Sequence, residues 1–225
     1  MDKLEVQSRS NAQASAGARR SLLAKASAAV VLAAALVSAQ ARTIVDDWAE
    51  VKAPPAPELK PVKADPKDTA LLVLDILRQN CTPRPRCVAS VPKIQGLVER
   101  ARLAGVPVIY TVVSGQAVTD VLPEVAPRAG EPSVASGPDK FMNTDLDKIL
   151  KDKGIKTVIV TGTAAEGAVL NTAAGAALRG YKVIVPVDGM SSTTPYAEQY
   201  TAWHLTNSPR VGAQGTLTRI DMIAF

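Results

Sequence analysis

Histidine occurs once in this 225-residue chain, cysteine twice, and Phe, Trp and Tyr together make up only 4% of it. With so few imidazoles and thiols a zinc centre is not implied, because such sites draw on clusters of His and Cys at fixed spacing. The single histidine, His204 beside Trp203, reads as a partly buried structural or interface residue. No stripe of Lys and Arg interleaved with aromatics is present, so no nucleic-acid partner is expected. The one long apolar stretch, from Ala26 to Val37, is too short and too alanine-rich for a membrane span. No internal repeat or low-complexity segment competes with a globular reading.

That apolar stretch follows Arg19, Arg20 and Lys25 and is succeeded by Ala39-Gln40-Ala41, the order of a cleavable export signal. Arg19-Arg20-Ser21-Leu22-Leu23 also resembles a twin-arginine signal. Residues 1–41 are therefore expected to be a signal peptide, sending the protein to the periplasm or medium by the Sec or the twin-arginine route. This segment carries five basic and two acidic residues; the remainder has 21 Lys+Arg against 19 Asp+Glu, a net charge of +2. The basic balance of the whole chain thus belongs largely to its first residues. In an oxidising compartment Cys81 and Cys87, six apart around Thr82-Pro-Arg-Pro-Arg86, suggest a disulfide; two structural thiols are the plainer alternative.

Residues 42–67, with five prolines and few apolar anchors, read as an extended arm. Residues 68–225 then alternate buried strands with helices. Thr69-Ala-Leu-Leu-Val-Leu-Asp75 is a continuously apolar strand ending in an acid, and Val91, Ile94, Leu97, Val98, Ala101 and Leu103 form a helical stripe. Val106–Val113 is the next strand, followed by a long Pro/Gly-rich loop from Ser114 to Pro138. A helix from Thr144 to Gly154, a strand over Thr157–Val160, a helix from Gly167 to Arg179, a strand over Lys182–Val187, a helix near Pro195 and a strand over Gly215–Ile220 complete the pattern. Such alternation implies a parallel sheet covered on both faces, with ligands at the carboxyl ends of its strands. Asp75, Tyr110-Thr111, the Gly162–Ala168 turn and Asp188 fall there.

The densest signal is Thr157-Val-Ile-Val-Thr-Gly-Thr-Ala-Ala-Glu-Gly-Ala-Val-Leu-Asn-Thr, a β-branched strand, a turn of small residues and a helix start whose unpaired amides favour negative charge. With Leu-Leu-Val-Leu-Asp75, Ala104-Gly-Val-Pro-Val-Ile-Tyr-Thr111, Phe141-Met-Asn-Thr-Asp-Leu146 and Gly180-Tyr-Lys-Val-Ile-Val-Pro-Val-Asp188, it resembles the isochorismatase-like cysteine hydrolases over about residues 68–220. The resemblance implies a three-layer α/β/α sandwich with a mainly parallel sheet, no cofactor, no metal, a small-molecule substrate and a homo-oligomer. It also implies an aspartate as proton acceptor, matched by Asp75; a lysine six residues before Phe141, where Ala135 stands; and a cysteine six after Gly162, where Ala168 stands. Lys140, next to Phe141, could substitute for the lysine, although a solvated side chain is the plainer reading.

Without a thiolate no acyl-enzyme of the family type can form. The turn Ala165-Glu166-Gly167-Ala168 is closer to that of the isochorismatases proper, in which the aspartate protonates a vinyl ether and water adds. The site expected from the resemblance therefore comprises Asp75, Glu166 and Lys140 for chemistry, and Phe141, Ala164, Ala165, Gly167 and Ala168 around the substrate. Glu166 could pair with Asp75 as an acid/base couple or simply complement the helix start. The competing readings are a non-covalent, Asp75-dependent hydrolase and a catalytically inactive binding or assembly protein with a hydrolase fold.

Overall fold

A computed structural model describes residues 42–225; the expected signal peptide lies outside the described residues. Pro54–Phe225 forms one compact unit; of the described residues before it, Ile44–Asp47 make one helical turn. The compact unit holds the sheet. Its strands are β1 (Val62–Lys63), β2 (Thr69–Leu74), β3 (Val108–Val113), β4 (Ser133–Ser136), β5 (Thr157–Thr163), β6 (Lys182–Pro186), β7 (Met190–Ser191), β8 (Gly215–Thr218) and β9 (Ile223–Ala224). The principal helices are α1 (Pro85–Leu103), α2 (Leu146–Asp152), α3 (Leu170–Leu178) and α4 (Pro195–Asn207).

The main sheet runs β4-β3-β2-β5-β6-β8, and every pairing in it is parallel. Its central strand explains why the sequence reads as uninterrupted apolar: Ala70, Leu72 and Leu74 of β2 pack into one core with residues of α2, α3 and α4. Leu71 and Val73 point to the opposite core, against Ile94, Leu97 and Val98 of α1. Alternate side chains of one strand thus bury on two faces. Helices on both sides of a parallel sheet make the expected three-layer architecture. The sheet also forks: β6 pairs with Thr157–Ile159 of β5, whereas Gly162 and Thr163 pair with Met190 and Ser191 of β7.

Several boundaries differ from the sequence expectation. Helix α1 begins at Pro85, inside the Cys81–Cys87 interval, because proline is well suited to the first helical turn. The structure joins Cys81 to Cys87 with their Cα atoms 5.2 Å apart. The segment 114–138 is no open loop: it contains two 3₁₀ turns, Val118–Asp120 and Pro123–Val125, and the edge strand β4. Arg102 pins it to the sheet, donating to the Ala126 carbonyl (3.0 Å), the Tyr110 hydroxyl (3.0 Å) and both carboxylate oxygens of Glu131 (2.8 and 2.7 Å). Burial pushes the Tyr110 phenol up to about 12. For Glu131 burial acts upward as well, but the Arg102 guanidinium outweighs it and holds the carboxyl below its ordinary range. The helix after the small-residue turn also starts later than expected, at Leu170, after one wide π turn over Ala165–Val169. In α3, Ala173, Ala176 and Ala177 are buried in the chain's own core, which accounts for the run of alanines without a partner helix from another subunit.

Candidate active site

Asp75 follows directly on β2 and adopts φ 53°, a left-handed conformation that Asp tolerates better than most residues. Its backbone N–H donates to the Thr111 carbonyl (3.3 Å), and its own carbonyl accepts from Leu77 (2.8 Å). This turn lifts the carboxylate off the strand end while leaving it 94% shielded. Gly162 lies opposite, in register with Leu74, at φ 134°. A side chain there would place Cβ 2.7 Å from Leu74 Cβ and closer still to the Leu74 carbonyl oxygen. Glycine is therefore what lets β5 approach the backbone that launches Asp75. The next peptide bond but one along β5, Thr163–Ala164, is cis.

Lys140 corrects the expectation of a solvated lysine. It is fully buried, and its Nζ lies 2.7 Å from Asp75 Oδ2, 3.2 Å from the Ser136 carbonyl and 3.4 Å from the Val112 carbonyl. Ala135, where the resemblance anticipates a lysine, is an exposed residue of the edge strand β4, and Lys140 reaches Asp75 from the Gly137-Pro138-Asp139 bend that follows that strand. Thr172 of α3 secures the turn, accepting from the Lys140 N–H (3.2 Å) and donating to the Pro138 carbonyl (3.3 Å). A buried ion pair survives only when both charges find further hydrogen bonds, and here both do. The second oxygen of Asp75 accepts from the Thr111 hydroxyl at 2.7 Å.

The other anticipated residues are placed differently from one another. Ala165 and Ala168 are buried in the apolar core beneath α3, and Ala164 and Gly167 are half-buried. The Ala164 carbonyl accepts from the Gly167 (3.1 Å) and Val169 (3.2 Å) amides. Glu166 is exposed and forms no ion pair among the described residues, so the structure does not couple it to Asp75. Phe141 is also not a free wall: its ring is buried, 6.2 Å from the Tyr181 ring and 4.4 Å beneath the Arg179 guanidinium. Its neighbour Met142 is exposed. His204 is half-buried and 3.5 Å from the Tyr200 hydroxyl on the same helix. Asp188 is committed to structure, accepting from the Ile220 N–H (2.9 Å) and pairing with Lys93 (3.2 Å). Among the described residues no group of three or more His, Cys, Asp or Glu side chains is placed to hold a metal.

Thr111 is the residue that sequence reasoning placed at the strand ends without giving it a role. The signal was its position: a β-branched hydroxyl in register with Leu74, one residue short of the acid.

Known proteins share this arrangement of strands and turns. The secreted isochorismatase effector of Verticillium dahliae is 28% identical over 144 residues, covering 58% of this chain and 76% of that protein. The N-carbamoylsarcosine amidase of an Arthrobacter species is 28% identical over 145 residues, covering 52% of this chain and 55%, or about half, of the amidase. The crystal structure of N-carbamoylsarcosine amidase from Thermoplasma acidophilum superimposes with a TM-score of 0.59 at 28% identity, over 68% of this chain and 97% of that one. The family description "Isochorismatase domain" matches residues 69–218, from the first residue of β2 to the last of β8, and on this basis the chain belongs to the isochorismatase family.

Proposed function

We propose that the protein is a hydrolase acting on a small substrate through Asp75, without a covalent enzyme intermediate. The observation that carries this reading is the Asp75 carboxylate at the sheet's carboxyl edge, gripped by Lys140 at 2.7 Å and Thr111 at 2.7 Å, while alanine occupies position 168. In the step envisaged, a vinyl ether would first take a proton on its alkene carbon from protonated Asp75, which recovers one from the water that adds; for an amide or ester, a water hydrogen-bonded to the Asp75 carboxylate attacks the carbonyl carbon, and its proton passes to the carboxylate. The same proton is then delivered to the leaving group, which restores Asp75. Each carboxylate oxygen accepts one bond from the protein and keeps a lone pair for this purpose. Lys140 balances the carboxylate in the resting site. The amidases among the relatives are consistent with a carbonyl or carbonyl-like substrate.

Asp75→Asn tests this directly. The amide is nearly isosteric but takes no proton from water, so turnover of small amides, esters or vinyl ethers should fall by roughly 10²–10⁴-fold. Thiol reagents should leave activity intact. Thiol-sensitive turnover that survives Asp75→Asn would sink the mechanism. If a compound binds yet no member of the panel is turned over, the second reading, a binding or assembly protein, gains. That reading draws on the enclosure of Asp75, of whose side chain only 6% is exposed.

We further propose that residues 1–41 are removed on export, that residues 42–67 are an arm preceding the hydrolase domain, that the mature protein is periplasmic or secreted, and that it forms a homo-oligomer. The secreted relative supports the compartment, and so does the Cys81–Cys87 bridge. Alkylation of the isolated protein without reductant, followed by mass spectrometry, should label neither cysteine. Removing the bridge by Cys81→Ser should cost ~2 kcal/mol, given its short loop. Two free thiols in freshly exported protein would count against the bridge and the compartment together.

A further inference from the structure

We propose that Thr111 is a positioning residue that sets the rotation of the Asp75 carboxylate, a role that rests on the hydrolase reading above. The argument begins with Lys140. An ammonium group has three N–H donors, and the three acceptors within reach are Asp75 Oδ2, the Ser136 carbonyl and the Val112 carbonyl. Its side chain has no exposure. Lys140 therefore has neither a spare proton nor a free face for substrate, and acts on the reaction only through Asp75. One contact, on Oδ2, fixes one end of the carboxylate but leaves it a pivot.

Thr111 supplies the second point. Its hydroxyl donates to Oδ1 at 2.7 Å, and its carbonyl accepts the Asp75 N–H at 3.3 Å, so one residue holds both the acid's side chain and its backbone. Thr111 lies in β3 opposite Leu74 and is 1% exposed, where a β-branched side chain has little choice of χ1. Thr161, in the neighbouring β5, shows what such a hydroxyl otherwise does: it donates to a backbone carbonyl, that of Leu72, at 3.0 Å. With Lys140 on one oxygen and Thr111 on the other, the remaining lone pairs are aimed in one direction, and the general base is oriented before substrate arrives.

The test compares Thr111→Val, which keeps the shape and removes the hydroxyl, with Thr111→Ser, which keeps the hydroxyl. Crystal structures of both variants and kinetics on a panel of small amides, esters and vinyl ethers are read together. In Thr111→Val the carboxylate should turn away from its wild-type position and kcat should fall ~10–100-fold, with KM within about twofold. Thr111→Ser should restore the carboxylate position and most of kcat. An unmoved carboxylate with unchanged kcat in Thr111→Val would overturn the proposal, as would an equal loss in Thr111→Ser. A turned carboxylate in a protein whose wild type turns over nothing in the panel would leave Thr111 its positioning role and remove the hydrolase reading. Should the valine variant fail to fold, Thr111→Ala reads the same quantities.

Discussion

Replacing Lys140 by methionine is expected to lower the stability of the folded protein by about 3–5 kcal/mol, one of the two largest effects of any single substitution considered. The size follows from what is left behind. Methionine fills much the same volume but strands the Asp75 carboxylate, 94% shielded, with one hydrogen bond from Thr111 and no neutralising charge, and an uncompensated buried charge costs on this scale. The same logic fixes the companion result. Asp75→Asn combined with Lys140→Met removes both charges, and the double variant should recover a large part of the loss, because a neutral pair in the same space has little desolvation to repay. Urea unfolding of the wild type, both single variants and the double variant gives the cycle. A cost below about 1 kcal/mol for Lys140→Met, or simple additivity in the cycle, would show that the pair is not coupled as described.

Gly162→Ala carries the second large effect. The added methyl would meet Leu74 at 2.7 Å or less, at a φ of 134° that residues with a side chain rarely adopt. Overpacking against backbone has no flexible side chain to yield, so roughly 3 kcal/mol or more is expected. The strain falls on the peptide that leads into Asp75, so any folded variant should also lose turnover beyond what its stability predicts. Unfolding midpoints within about 0.5 M urea of wild type, together with full activity, would refute the close approach of β5 to β2.

These two residues also mark how far the sequence could be read. Gly162 was visible, because Thr161-Gly162 ends a β-branched run at the point where a parallel sheet gathers its ligands. Asp75 was visible for the same reason. Both depend on local pattern alone. Lys140 was legible only as a possible substitute, with a solvated side chain the plainer reading, since counting back from Phe141 assumes a fixed path between β4 and α2; here the edge strand ends at Ser136 and a three-residue turn brings Lys140 to Asp75. A lysine between Asp139 and Phe141, in a segment rich in turn formers, was the available hint. Phe141, which the resemblance set beside the substrate, packs its ring against Tyr181 and Arg179, residues distant in sequence whose contact no local pattern announces. The wide turn over Ala165–Val169 and the fork between β6 and β7 depend on tertiary pairing and leave no periodic trace.

The smallest pairing in the fold has a mechanical consequence. Strand β1 pairs in parallel with β9, Val62 opposite Ile223 and Lys63 opposite Ala224, and Ala64 donates to the Ala224 carbonyl at 2.8 Å. Arg100 of α1 adds to this clasp by donating to the carbonyls of Ile220 (2.7 Å) and Ile223 (2.6 Å). Both strands lie outside residues 69–218, the span common to the family, so the flanks of the domain close on each other. A force pulling the two ends of the domain apart would draw β1 backward and β9 forward, sliding parallel strands along their length and loading all their hydrogen bonds at once instead of opening them one by one.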